Sequence, residues 1–390
     1  MERHPVKPIL FAAVAAACLG AGSAPACAQA NDALLDTLRA KGVLTEDEYK
    51  QLHQPKAADP NAEATTIGGQ LFIDVTHIDQ TNDGAKAASS GTGIDVKRGY
   101  LILDHRFDKT WSADLTTDFN YSASDGETQL FIKTLYLQAA LSDAFTLRAG
   151  SAAMPWLPLV DSLSGYRYVE NSLVDRLKFG NWADWGLHAM GNFGSSGFSY
   201  ALSAVNGGGF KNPTRSEKLD WEGRLAYTAG GFTLAGGFYS GYLGKDVAGT
   251  TTPVQHSAKR WDALAAYVTP AFRVGAEYFN AKNWNQVTSV PEDTSDGYSL
   301  WGSFVINPKV SAFARLDAAK PKKDLAPDFK DLYYNVGVSY VARKNIDLAL
   351  AYKHEDVKNG SLATSNGTIT GGTTADGKYN EIGVWAQVKF

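Results

Sequence analysis

The sequence predicts an all-β chain: a transmembrane antiparallel β-barrel of sixteen strands, preceded by a short N-terminal helical segment. Three observations predict it. Period-2 alternation recurs along the chain, as where Trp111, Ala113, Leu115, Thr117, Phe119 and Tyr121 alternate with Ser112, Asp114, Thr116, Asp118 and Asn120. The connections between alternating runs are by turns short and long, the pattern of an outer-membrane barrel with tight periplasmic turns and longer external loops. Aromatic residues gather at both ends of the apolar faces, where the two bilayer interfaces favour amphipathic rings. A soluble sandwich also alternates, since it hides one apolar face in a core, and aromatics favour strands in general. Clustering at both ends, with Ala, Val, Leu and Gly between, favours lipid on the outer face.

Composition sets the limits. The chain has 390 residues, with Lys+Arg 37 against Asp+Glu 41 and 44% hydrophobic residues. It is too apolar for disorder and too balanced for a general nucleic-acid binder. Gly 38 and 12% aromatics, with Cys 2 and Met 3, fit many strands and turns and exclude zinc clusters and disulfide scaffolds. After residue 28 there is no apolar run of about 18 residues, so no membrane-spanning helix is predicted.

In chain order, residues 1–28 read as an export signal. They carry Arg3 and Lys7, an apolar stretch from Ile9 to Leu19, and the small-residue exit Ala26-Cys27-Ala28. Both cysteines, Cys18 and Cys27, fall inside it, and Ala24 stands where a lipoprotein signal needs an aliphatic residue such as Leu. Residues 29–65 form a periplasmic segment and linker. Leu34, Leu35 and Leu38 make a short helical face, Gly42 breaks it, and Thr45-x-x-Glu48 caps a second helix bearing Tyr49 and Leu52. So short a pair cannot bury itself: either three copies hide it on a common axis or it is a tether. Residues 66–390 are the barrel, with alternating runs near 66–78, 93–107, 110–122, 129–141, 143–153, 183–194, 196–206, 217–229, 230–243, 258–269, 270–283, 295–307, 308–318, 330–342, 345–355 and 378–390. An even number suits a closed barrel with both ends on one side. Short turns such as Phe107-Asp-Lys-Thr110 alternate with polar loops, the longest at 154–182 and the last at 356–377. The final run places Ile382, Val384, Ala386, Val388 and Phe390 on the lipid face.

Several short stretches resemble the phosphate-selective porins of the O and P type, a family of Gram-negative outer-membrane porins. They are Leu34-Leu35-x-x-Leu38-x-x-Lys41-Gly42-x-Leu44-Thr45-x-x-Glu48-Tyr49-x-x-Leu52, Gly68-Gly69-Gln70-Leu71, Lys97-Arg98-Gly99-Tyr100 and Thr146-Leu147-Arg148-Ala149-Gly150. The resemblance implies a sixteen-stranded homotrimer whose third long loop, here about 154–182, folds inward to narrow the lumen. It also implies assembly machinery reading the Phe390 strand, and outer-membrane lipid and lipopolysaccharide as surroundings. On the loop, Asp161, Arg167, Glu170, Arg176 and Lys178 are candidate selectivity residues. An external loop gripping a neighbouring subunit is the other reading of the same segment.

By parity the lumenal bases are Arg98, Arg106, Arg148, Arg224, Arg273, Arg315, Lys353 and Lys389. The lumenal acids are more numerous, Asp118 among them, so no strong anion funnel is evident from the whole lumen, although a local ladder on one wall is compatible with the count. Arg98, Arg148, Arg224, Arg273, Arg315 and Asp118 are the candidate wall residues of the filter. The fifth external loop has only Lys245, Lys259 and Arg260 where the family carries a lysine cluster. The expected function is passive diffusion of small hydrophilic solutes, including anions such as phosphate. The alternatives are a general or carbohydrate-type porin and an outer-membrane barrel enzyme. The seven histidines have no metal-ligand spacing, and no G-x-S-x-G, H-E-x-x-H or P-loop occurs, so no enzyme, cofactor, metal or nucleic-acid role is predicted.

Overall fold

A computed structural model describes residue 39 and residues 62–121, 128–372 and 374–390. The expected export signal and nearly all of the periplasmic helical segment lie outside the described residues. Residues Glu63–Phe390 form one compact unit.

Alternating sequence becomes strand wherever one face meets lipid and the other water. The strands are β1 (Ala64–Asn82), β2 (Gly91–Arg106), β3 (Trp111–Tyr121), β4 (Thr128–Ser142), β5 (Phe145–Ala153), β6 (Ala183–Asn192), β7 (Phe198–Val205) and β8 (Asp220–Ala229). They continue as β9 (Phe232–Gly241), β10 (Ala258–Val268), β11 (Phe272–Lys282), β12 (Thr294–Asn307), β13 (Val310–Lys320), β14 (Lys330–Arg343), β15 (Ile346–Lys358) and β16 (Gly377–Lys389). Each pairs antiparallel with its chain neighbour, and β16 closes on β1, for example Leu71 opposite Val388. Closure leaves no unpaired sheet edge, which a bilayer would not tolerate. No described helix is long and apolar enough to cross a membrane.

The outer face follows the expected parity. On β14, Leu332, Tyr334, Val336, Val338 and Tyr340 are exposed, while Tyr333 and Asp331 are buried inside. Aromatic pairs bridge adjacent strands at the short-turn end, Phe198–Tyr227 at 4.8 Å and Phe232–Tyr267 at 4.2 Å, and at the long-loop end, Trp261–Tyr278 at 5.0 Å. Two departures from simple alternation are informative. The last loop, read as polar, contains a hairpin of residues 360–364 and 367–371. Cross-strand partners Leu362 and Ile369 are buried beside Phe329 and Val357, so two apolar side chains with a common core to enter outweigh the polar composition around them. The second departure is a set of β-bulges, of which those between β1 and β2 and between β3 and β4 fall on the lumen wall.

Candidate functional site

The connection from β5 to β6 enters the barrel and folds into α1 (Leu157–Ser164) and α2 (Leu173–Arg176). Apolar side chains place it: Trp156, Leu157, Val160, Leu173, Val174, Leu177 and Phe179 pack with Tyr239, Leu264, Phe279, Trp284 and Trp301 of the wall region. Parity assigned the lumen to polar residues; on β9–β12 part of it is apolar because the loop supplies the partner surface.

Charged groups then hold the loop. Arg176 is fully buried and donates to Asp317 at 3.0 Å, Asp331 at 2.6 Å and Glu355 at 2.5 Å, with its guanidinium 4.5 Å from the centre of the Tyr333 ring. Arg315 donates to Asp317 at 2.6 Å and to the Asn171 carbonyl. Lys353 reaches Glu381 at 2.9 Å and Glu170 at 3.4 Å. At the other end of the loop, Trp156 donates its backbone N–H to Glu222 at 2.9 Å and its indole N–H to Glu277 at 2.8 Å. Arg260 joins Asp262 at 2.9 Å, Glu222 at 3.2 Å and the Phe179 carbonyl. Buried oxygens of these networks, Glu277 Oε2 and Asp331 Oδ1 among them, have no hydrogen-bond partner among the described residues, so the networks specify one loop position more than they add stability.

The structure thereby separates the candidates. Arg176, Arg315 and Glu170 lie in the buried anchor. Lys178 is exposed and has a positive φ of 60°. Arg224 is half-buried, with Nη1 3.5 Å from Ser199 Oγ. The open side of the loop carries Asp161 and Arg167, which pair at 3.2 Å, while Arg167 also meets Asp175 at 3.4 Å. Arg273 donates to the Ser162 carbonyl at 3.3 Å beneath α1. On the barrel wall Arg98 meets the buried Asp118 at 3.3 Å, and Arg148 donates to Gln138 at 2.8 Å while covering the Tyr136 ring.

Two lumenal cations escaped the parity reading. The register of β1 with β2 passes from Phe72–Arg98 to Ile73–Val96, leaving Lys97 as the extra residue. The register of β3 with β4 passes from Thr116–Thr134 to Thr117–Ile132, leaving Lys133. An extra residue reverses the in-and-out sense of the strand beyond it, so two consecutive side chains share the inner face. Lys97 donates to the Val169 carbonyl of the loop at 2.8 Å, and Lys133 donates to Tyr100 Oη at 2.9 Å with Nζ 3.9 Å above the Trp182 ring. Arg260, read with the fifth external loop although the run 258–269 includes it, is likewise buried in the lumen, at the third residue of β10.

Between the loop and the wall lies a cavity of about 890 Å³, continuous with the short-turn end through Thr269, Pro270 and Phe272. Its lining includes Lys133, Arg148, Arg167, Arg273 and Lys389 against Asp114, Asp161 and Asp347, so cations outnumber carboxylates five to three. Lys133 and Arg148 come from β4 and β5, Arg273 from β11, Lys389 from β16 and Arg167 from the loop, so the cations surround the cavity. Among the described residues no group of His, Cys, Asp and Glu suited to a metal ion occurs.

The family model for Gram-negative porins matches residues 12–360. No curated protein matches the chain. Among solved structures, the chain is similar to an anion-selective porin from Comamonas acidovorans, with 13% identity over 84% of this chain and 100% of that one and a TM-score of 0.64. It is similar to the trimer form of OmpT, an outer membrane protein of Vibrio cholerae, with 13% identity over 85% and 100% and a TM-score of 0.57. A third likeness is to Salmonella typhi OmpF in complex with daunomycin, with 13% identity over 85% and 98% and a TM-score of 0.55. At these identities the likeness is one of fold.

Proposed function

Because the chain belongs to the Gram-negative porins, channels of the outer membrane, we propose that it passes small hydrophilic solutes with a preference for anions such as phosphate, filtered between the folded-in loop and the wall of β2–β5. The observation that carries this reading is the excess of cations lining the cavity, Lys133, Arg148, Arg167, Arg273 and Lys389 against three carboxylates. A solute crossing a narrow lumen exchanges part of its hydration for these groups, and guanidinium and ammonium donors favour anions there. Arg98 and Asp118 form the neighbouring charged pair, and Asp161 opposite sets a transverse field across the passage. A general or carbohydrate-type porin is the second reading, favoured by the rings of Tyr136, Tyr166 and Trp182 that line the same cavity.

The proposed molecule is a homotrimer, as the solved OmpT form is, with residues 1–28 removed on export and residues 29–65 in the periplasm. Planar-bilayer recording in a KCl gradient tests the filter. Anion-selective conductance in threefold steps, reduced by added phosphate, is the expected result. Replacing Arg98 and Arg148 by Ala is expected to move the reversal potential toward cations. Cation preference in the unmodified protein would leave the general-porin reading.

A further inference from the structure

We infer that the cavity between the loop and the wall selects sugar acids, holding the carboxylate on cations of β4 and β5 and the ring hydroxyls on a row of acceptors from β1, β15 and β16. The inference deepens the proposed filter and rests on it. Two arcs of the cavity lining differ in chemistry. Lys133 and Arg148 stand on β4 and β5, and neither has a carboxylate within ion-pair distance among the described residues. Among those residues Arg148 donates only through Nε, to Gln138 at 2.8 Å, which leaves both terminal nitrogens of its guanidinium for a ligand. Such a fork matches the two oxygens of a carboxylate.

The second arc is a hydrogen-bonded row. Gln70 donates an amide N–H to Gln387 Oε1 at 2.8 Å, and Gln387 donates to Asp347 Oδ2 at 3.1 Å. Register builds it: Asp347 of β15 stands directly opposite Gln387 of β16, and Gln70 of β1 stands opposite Lys389, the next inward residue of β16. The donors run in one sense along the row, so Gln70 Oε1 and Asp347 Oδ1 are left without a donor among the described residues. All three side chains line the cavity. A simple anion such as chloride is attracted by the first arc and repelled by Asp347. A neutral sugar donates to the second arc and leaves the cations of the first unmet. A sugar acid answers both, with a carboxylate for Arg148 and Lys133 and hydroxyl donors for Gln70 and Asp347. The loop tip adds a platform. Tyr166 has a φ of 55°, rare for so bulky a residue, and is held there by stacking on Phe313 at 4.1 Å and by its Oη, 3.2 Å from Ser339 Oγ. Phe313 covers one face of the ring, and the ring lines the cavity, where it suits the C–H face of a pyranose. A cavity of about 890 Å³ admits a monosaccharide with accompanying water.

Block of the KCl current by sodium glucuronate in planar bilayers tests it, with sodium acetate presenting the carboxylate alone and glucose the hydroxyls alone. Half-block by glucuronate is expected at a concentration at least about tenfold below that of either control. In Gln70→Met, which keeps the length of the side chain and removes the acceptor, the advantage of glucuronate over acetate is expected to fall at least about threefold. Asp347→Leu reads the same arc if the first variant fails to fold. Loss of its negative charge strengthens the block by both anions alike, so the ratio between them reports the acceptor, and it is expected to fall by a similar factor. An unchanged ratio in both variants would overturn the inference. Half-block by glucose at the same concentration as glucuronate would remove the carboxylate from the selection and overturn it as well. Anion-selective KCl current with equal half-block by glucuronate and acetate would overturn the inference and leave the filter standing. Cation-selective KCl current would overturn the filter and this inference with it, so the two failures are read separately.

Discussion

Lys133 carries the strongest lesson at the residue scale. One additional residue in β4 turns a position of lipid-facing parity into a buried lumenal ammonium between Tyr100 and Trp182. Replacing Lys133 by Gln keeps the hydrogen bond to Tyr100 and removes the charge, so the reversal potential is expected to shift toward cations by more than for a rim lysine such as Lys344; equal shifts would take Lys133 out of the filter. Glu170 illustrates pH dependence. Burial opposes its ionisation, but Lys353 and Lys97 outweigh that and hold its carboxyl below its ordinary value of 4.5. A carboxyl with a depressed folded-state pKa contributes stability that is complete above the ordinary value and is lost as pH falls through the depressed one. Open-channel current noise is therefore expected to stay flat between about pH 7 and 5 and to rise only in stronger acid, as the loop loosens. In Glu170→Gln the acid-dependent rise is expected to vanish, and its persistence would place the titrating group elsewhere.

At the scale of elements, the inward loop is held by two anchors of different design. The first anchor gathers Asp317, Asp331 and Glu355 around one arginine, so Arg176→Ala leaves Asp331 and Glu355 buried without their cation, while Asp317 keeps Arg315. Losing one side of a buried ion pair costs about 3–5 kcal/mol, and the temperature at which strand circular dichroism is lost is expected to drop. An unchanged transition would mean that water enters the anchor without strain. The second anchor, around Trp156, Glu222, Glu277 and Arg260, is embedded in the apolar cluster of the loop. Deleting residues 160–176 is expected to raise single-channel conductance and also to expose Leu264, Phe279 and Trp301 to the lumen. A larger current with lower thermal stability is the expected pair of results, and an unaltered conductance would mean that the segment does not narrow the pore.

At the scale of the whole molecule, closure meets the requirement that every backbone polar group in the bilayer find an internal partner, while alternation and the two aromatic belts answer to apolar lipid and its two interfaces. Assembly belongs to the same scale. The Leu34, Leu35 and Leu38 face has two readings in the sequence, burial by three copies on a common axis and a tether. Removing residues 31–54 is expected to weaken the trimer on native electrophoresis without changing the strand content. Intact trimers after removal would leave the segment as a tether.

By itself the sequence determined the class, the strand order and the outer surface of this protein, because lipid imposes a period of two on every outward position and aromatic residues mark where the lipid ends. It also located the long connection at 154–182 and the bases Arg98, Arg148, Arg167 and Arg273, which stand on the open side of the loop or the wall facing it. Tertiary structure alone decided the inner surface. Bulges moved Lys97 and Lys133 inward, a shared apolar core turned a polar-looking stretch into the hairpin of residues 360–371, and ion pairs between residues far apart in the chain drew Arg176, Arg315 and Glu170 out of the passage into the anchor. The outer face answers to a uniform solvent, which periodicity reads directly. The inner face answers to whichever other part of the chain arrives there, and that depends on contacts between residues more than a hundred positions apart, such as Arg176 with Asp317 and Trp156 with Glu277.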